Sequence, residues 1–221
     1  AKVIAGTCNY NTKESVLLSK EAESLGVHGI LAVAPYYNKP PQEGLYQHFR
    51  AIAEAVNIPV MLYNIPSRTG VNIEPETIAR LSEIPNIVAL KEAGGSTDQI
   101  SRIKALVPPD FYLYSGDDIM TLPLLALGGV GVVSVASHLV GKEIKKMIQL
   151  FDEGKTKEAL KVHLELYPLF KALFISTNPI PVKAALNLAG WRVGGVRPPL
   201  SSLEQEKEEK LKSVLEKFHL I

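Results

Sequence analysis

A rhythm of short apolar runs limits the folds open to this chain. They lie at Val3–Thr7, Ile30–Ala34, Val60–Tyr63, Ile87–Lys91, Tyr112–Ser115 and Val130–Val135, with starts 27, 30, 27, 25 and 18 residues apart. Helical patterns fill the gaps. Asn11 with Glu14 makes a capping-box-like start for a helix up to Leu25. Gln42–Val56 is amphipathic, and Pro75 suits the first turn of a helix up to Ile84. Asp98–Val107 follows Ser96 and Thr97, either of which can cap it. Strands alternating with helices at this spacing build βαβ units and a parallel sheet.

After Val135 the strand signals stop. Gly141–Phe151, Thr156–Phe170, Pro181–Leu188 and Ser202–Phe218 read as helices, and Arg197-Pro198-Pro199-Leu200 reads as a linker. The expected division is a partial (β/α) barrel over residues 1–153 and a C-terminal helical region over 154–221.

An open doubly wound sheet and part of an eight-stranded barrel both fit six βα units. A doubly wound dinucleotide binder wants Gly-x-Gly-x-x-Gly after an early strand, and Gly6-Thr7-Cys8-Asn9-Tyr10-Asn11 lacks it. A full TIM barrel takes about 250 residues, so six units plus a helical tail place about two further units, roughly 60–70 residues, in front. The abrupt opening, Ala1-Lys2 running straight into an apolar strand, agrees with that expectation. The fold class read from the sequence is therefore α/β, of the TIM (β/α)8 barrel family, with six βα units, the N-terminal two missing, and a C-terminal helical extension.

Composition bears on partners and compartment. Lys and Arg number 24 against 23 Asp and Glu, which gives no sign of a basic surface for nucleic acid or membrane. One cysteine, Cys8, rules out an internal disulfide and fits a reducing compartment. No apolar run reaches the roughly 18 residues of a membrane helix, and no signal-peptide pattern opens the chain. The expected location is the cytoplasm. His28, His48, His138, His163 and His219 are scattered without ligand spacing, so no metal is expected. A Gly-x-Ser-x-Gly elbow is also absent.

The chemistry is expected where strands end, because a barrel gathers those ends on one rim. Ile87-Val88-Ala89-Leu90 runs without a turn residue into Lys91-Glu92. A lysine on a desolvated rim can lose its proton, attack a ketone and form a Schiff base. A lysine at a strand end more often only carries its charge out to solvent. Other strands run into Pro35-Tyr36-Tyr37-Asn38, Tyr63-Asn64-Ile65-Pro66-Ser67-Arg68-Thr69-Gly70 and Ser115-Gly116-Asp117-Asp118. A phenol there can relay protons, and Arg68 offers a planar fork for a carboxylate. Glycine at 116 gives close access to the backbone. Singly, such tyrosines usually pack and such arginines are usually solvated. Their joint occurrence carries the reading.

These blocks, with Gln42-Glu43-Gly44-Leu45-Tyr46 and Asn178-Pro179-Ile180-Pro181-Val182-Lys183, closely resemble the dihydrodipicolinate synthase family over the whole chain. That family belongs to the pyruvate-dependent class I aldolases, which also include N-acetylneuraminate lyase. The resemblance implies a lyase that condenses pyruvate with aspartate semialdehyde in lysine and diaminopimelate biosynthesis, without a cofactor. It implies imine formation at Lys91, and proton relay by Tyr63 and by Tyr37, the latter reaching into a neighbouring subunit. Arg68 would bind the semialdehyde carboxylate, and Gly116 and Val133 would line the pocket. Tyr36 and Glu14 match positions used in lysine feedback. A homo-oligomer, dimer or tetramer, is implied as well. The family's Gly-Thr-Thr-Gly-Glu block, which supplies a threonine to the relay, has no counterpart here. A sugar-acid aldolase, or a catalytically incomplete fragment, is the alternative expectation.

Overall fold

The structure, a computed structural model, describes residues 1–221. Packing divides the chain into two compact units, Ala1–Val133 and Ser134–Ile221. The first contains β1 (Ile4–Gly6), α1 (Thr12–Ser24), β2 (Gly29–Val33), α2 (Gln42–Ala53), β3 (Val60–Asn64) and α3 (Pro66–Thr69). It continues through α4 (Pro75–Ser82), β4 (Ile87–Glu92), α5 (Thr97–Leu106), β5 (Tyr112–Ser115), α6 (Thr121–Ala126) and β6 (Gly131–Val132). All six strands are parallel and lie side by side in chain order. A doubly wound sheet reverses direction at a switch point, so unbroken order decides for the singly wound sheet of the TIM barrel family.

Capping chemistry explains where the helices begin. Asn11 Oδ1 accepts the Glu14 N–H at 3.2 Å, while Glu14 Oε2 turns to Asn9 Nδ2 at 3.0 Å. Only half of the expected capping box therefore forms. Ser96, not Thr97, caps α5, its Oγ accepting the Gln99 N–H at 3.2 Å. Pro75 stands in the first turn of α4, where its missing N–H leaves no helix bond unmade.

The sheet buries one face under its helices. Ile30, Ala32, Val60, Leu62, Ile87, Leu90 and Leu113 form one core with Leu45, Phe49, Ile52, Ile78, Leu81, Ile100, Ile103 and Leu124 of the helices. Burying each such side chain stabilises by about 1.5–3 kcal/mol, before entropy is set against it. Register neighbours Val33, Tyr63, Lys91 and Tyr114 lie across the opposite face, each half-buried.

One irregularity decides which face Lys91 takes. Val60 pairs with Ile87, but Met61 then pairs with Ala89, leaving Val88 as an extra residue in β4. With unbroken pairing Leu90 would stand opposite Tyr63 and Lys91 opposite Asn64, among the helices. A bulge shifts the alternation by one residue and so turns each following side chain to the other face. It brings Lys91 to Tyr63 and Glu92 to Asn64.

The second unit comprises α7 (Ser137–Asp152), α8 (Thr156–Ala172), α9 (Ile180–Leu188) and α10 (Gln205–Lys217). Its buried side chains include Ala159, Leu166, Leu169, Phe170, Leu173, Ala185, Leu211 and Leu215. None of the helices is long and apolar enough to cross a membrane.

Candidate active site

Lys91 occupies the next-to-last position of β4, and its Nζ lies 3.9 Å from the centre of the Tyr63 ring. Burial moves its pKa down to about 8, with the nearby Arg68 charge adding to the fall and Asp118 opposing it. Desolvation is the main cause, because an ammonium loses its hydration without a full replacement. An amine with a pKa of about 8 is neutral in about one molecule in ten at pH 7, against about one in 2,500 for a free lysine. Burial also raises the pKa of the Tyr63 phenol, while Arg68 holds it back. The phenol therefore keeps its proton at neutral pH and can donate it.

Gly116 makes room for the lysine. A Cβ at this position would lie 2.7 Å from Ala93 Cβ and 3.1 Å from Lys91 Cε. The space over this glycine holds the lysine stem itself, which is a tighter use of the missing side chain than access for a ligand. The Gly116 N–H donates to the Glu92 carbonyl at 2.7 Å, and the Val133 N–H to the Ser115 carbonyl at 2.8 Å. Val133 thus follows β6 on the strand beside Gly116.

Arg68 sits on α3, which Pro66 starts and Gly70 ends in the left-handed conformation. It is exposed, and its charge acts on both Lys91 and Tyr63. Tyr37 stands apart from this group. Its φ is +75°, its side chain is 90% exposed, and its N–H reaches the Thr69 carbonyl at 3.3 Å. Holding a tyrosine in that backbone region costs about 1–2 kcal/mol.

Asp118 and Glu92 lie within the strand-end motifs, yet the sequence alone suggests no role for either. Asp118 is 2% exposed, and its charge favours the ammonium form of Lys91. Glu92 is 3% exposed on the helix-covered face. The available signal was Glu92 directly after Lys91 and Asp118 two residues after Gly116, both at strand ends.

A model of the dihydrodipicolinate synthetase family matches residues 1–218. The chain belongs to that family. Among its relatives are synthases named 4-hydroxy-tetrahydrodipicolinate synthase. One from Cyanothece sp. is 60% identical, over 100% of this chain and 76% of its own length. One from Desulforamulus reducens is 55% identical, over 100% of this chain and 75% of its own. Among solved structures, the dihydrodipicolinate synthase of Cyanidioschyzon merolae with lysine bound has a TM-score of 0.98 and 52% identity, over 100% of this chain and 75% of that one. The dihydrodipicolinate synthase of Aquifex aeolicus has a TM-score of 0.97 and 47% identity, over 99% and 75%. The chain therefore spans about three quarters of the length of these dihydrodipicolinate synthases. They are lyases of the class I aldolase type.

Proposed function

We propose that this chain condenses pyruvate with aspartate 4-semialdehyde through a Schiff base on Lys91. The observation that carries the reading is the half-buried amine with a pKa of about 8, set against a phenol ring at 3.9 Å. Neutral Nζ attacks C2 of pyruvate and gives a carbinolamine. Tyr63, protonated at neutral pH, delivers a proton to the departing hydroxyl, and water leaves to form the imine. Loss of a C3 proton gives the enamine, whose C3 attacks the semialdehyde carbonyl. The amine of the condensed chain then displaces Lys91 from C2, closing the ring and freeing the enzyme. The imine is the electron sink, so the scheme needs no cofactor.

Arg68 fits the semialdehyde carboxylate, since its guanidinium presents paired N–H donors at the same rim. Gly116 and Val133 line the pocket beside the lysine. Tyr37 is proposed to serve the site of a second copy of the chain, in a dimer or tetramer. Its outward side chain supports that role, because a phenol 90% exposed gains little inside its own subunit.

The test is capture. Incubating the chain with pyruvate and borohydride is expected to add a reduced pyruvate unit to the Lys91 peptide, seen by mass spectrometry. Capture should rise with pH through a midpoint of about 8. A chain that turns over aspartate semialdehyde but loses that activity as Arg68→Ala supports the substrate assignment. No adduct on Lys91, or preferential turnover of 2-keto-3-deoxy sugar acids, overturns it.

A further inference from the structure

The strands that carry the amine and the phenol each continue into a polar residue that points the other way. Asn64 follows Tyr63, Glu92 follows Lys91, and the two are register partners on the helix-covered face, 0% and 3% exposed. A carboxyl group this deep is tolerated only when its oxygens are engaged. Asn64 Nδ2 reaches both of them, at 3.2 and 3.0 Å. Gln99 Nε2 donates to Oε2 at 3.2 Å, and the Gly94 N–H donates to Oε1. A Cβ at Gly94 would sit 2.6 Å from that same oxygen, so the loop closes only around glycine.

The bonds continue into neighbouring loops. Asn64 Nδ2 also donates to Asn72 Oδ1 at 2.9 Å, and Asn64 Oδ1 accepts the Ile73 N–H at 3.1 Å. Asn72 Nδ2 donates to Gln99 Oε1 at 2.7 Å. Gln42 Nε2 donates to the Asn72 carbonyl at 2.8 Å, while its Oε1 accepts from the Glu74 N–H and Thr77 Oγ1. One set of side-chain amides thus joins the ends of β3 and β4, the segment between α3 and α4, and the first turns of α2 and α5. A network whose purpose was stability alone could lie anywhere in the core. This one begins one peptide beyond each reactive side chain, where a small rotation of the strand end turns the preceding residue.

We infer that Glu92 and Asn64 are positioning residues, which clamp the ends of β3 and β4 together so that Lys91 Nζ stays over the Tyr63 ring and out of water. The inference deepens the role given to Lys91 above, yet it is read on the amine itself. The full chain is acetylated with acetic anhydride across a pH series, and labelling of the Lys91 peptide is followed by mass spectrometry. The wild-type midpoint should fall near about 8. Glu92→Gln sets an N–H donor against the donors of Asn64 and Gln99. Water then reaches the loosened strand end, and the midpoint should rise by about one unit or more towards that of an ordinary lysine. Adding Asn64→Asp restores the donor–acceptor match between positions 64 and 92, though not the bond to Asn72 Oδ1, and should bring the midpoint part of the way back.

A folded Glu92→Gln chain with an unmoved Lys91 midpoint overturns the clamp, even if its melting temperature has dropped. If that variant does not fold by circular dichroism, Asn72→Ala, one bond further out, is read in the same way. Its midpoint should rise by less, and an unchanged value there also overturns the clamp. Pyruvate capture is a separate measurement. A moved midpoint without capture sinks the Schiff-base reading and leaves the clamp standing.

Discussion

The two faces of the same two strands treat buried polar atoms in opposite ways. On the helix-covered face Asn64 and Glu92 are almost wholly enclosed, and each polar atom meets amide partners. On the other face Lys91 is only half-buried, yet its pKa falls to about 8. Depth of burial is therefore a poor guide to reactivity. An enclosed group with every lone pair occupied is held still, whereas a less enclosed amine lying against an aromatic ring has lost water without gaining an equivalent partner. The first condition makes a clamp and the second makes a nucleophile. They lie one residue apart on each strand.

Inserting one alanine between Leu90 and Lys91 should break that arrangement most completely. The inserted residue would stand opposite Tyr63, so Lys91 would fall opposite Asn64 and Glu92 would turn to the open face, exchanging an ammonium for a hydrogen-bonded carboxyl group under the helices. An unpaired charge there costs several kcal/mol, a large share of the stability of an ordinary domain. The expected outcome is a chain that unfolds at much lower urea concentration and takes up no pyruvate on the Lys91 peptide. A folded insertion variant that still captures pyruvate would show that strand register does not set the facing of Lys91.

The next effect in size belongs to Gly116→Ala. Its new Cβ would lie 2.7 Å from Ala93 Cβ and 3.1 Å from Lys91 Cε, so the lysine stem must move by a few tenths of an ångström or more. Since a misplacement of about 1 Å can cost on the order of a hundred-fold in rate, capture should slow by about ten- to a hundred-fold while the chain stays folded. Stopped capture kinetics with borohydride measure this directly. A rate equal to wild type would mean that the stem position is not set by the glycine.

Several parts of this arrangement were legible in the sequence, for physical reasons. The helix-covered face needs apolar residues at its core positions, so β2, β3 and β4 announce themselves as runs such as Ile30–Ala34 and Val60–Tyr63. Lys91 was visible only in company, because a lone strand-end lysine usually reaches solvent and here tyrosines and Arg68 close the neighbouring strands. The bulge was not, since Val88 is as good a strand residue as its neighbours and only the pairing partner reveals the slip. Two short helices were missed. α3 and α6 carry Pro66 and Pro123, and proline usually argues for a turn. The run expected at Val130–Val135 pairs as a strand only over Gly131–Val132, where the Tyr114 ring lies 3.3 Å from where a Gly131 Cβ would be. Glu92 drew no role from the sequence, because nothing local shows that Asn72 and Gln99 come to meet Asn64 behind it.

The smallest expected effect separates desolvation from charge on the open face. Burial is the largest cause of the Lys91 shift, Asp118 acts second and upward, and Arg68 acts third and downward. Asp118→Asn removes a negative charge that favours the ammonium, so the acetylation midpoint should move below about 8. Arg68→Ala removes a positive charge that disfavours it, so the midpoint should move above that value, by less than the asparagine change moves it down. Both shifts should shrink in high salt, the exposed Arg68 being screened more than the buried Asp118. The sign has a further consequence for stability. Lys91 is less readily protonated folded than unfolded, so it weakens the native state below its folded pKa of about 8, and the penalty disappears as pH rises from there to the ordinary lysine range. Asp118→Asn should widen that window and Arg68→Ala should narrow it. Urea midpoints measured on both sides of pH 8 check the same charges through folding, without any ligand. If both substitutions moved the acetylation midpoint in one direction, neighbouring charge would have no part in tuning the amine, and the apolar surroundings of the Tyr63 ring would have to account for the whole shift.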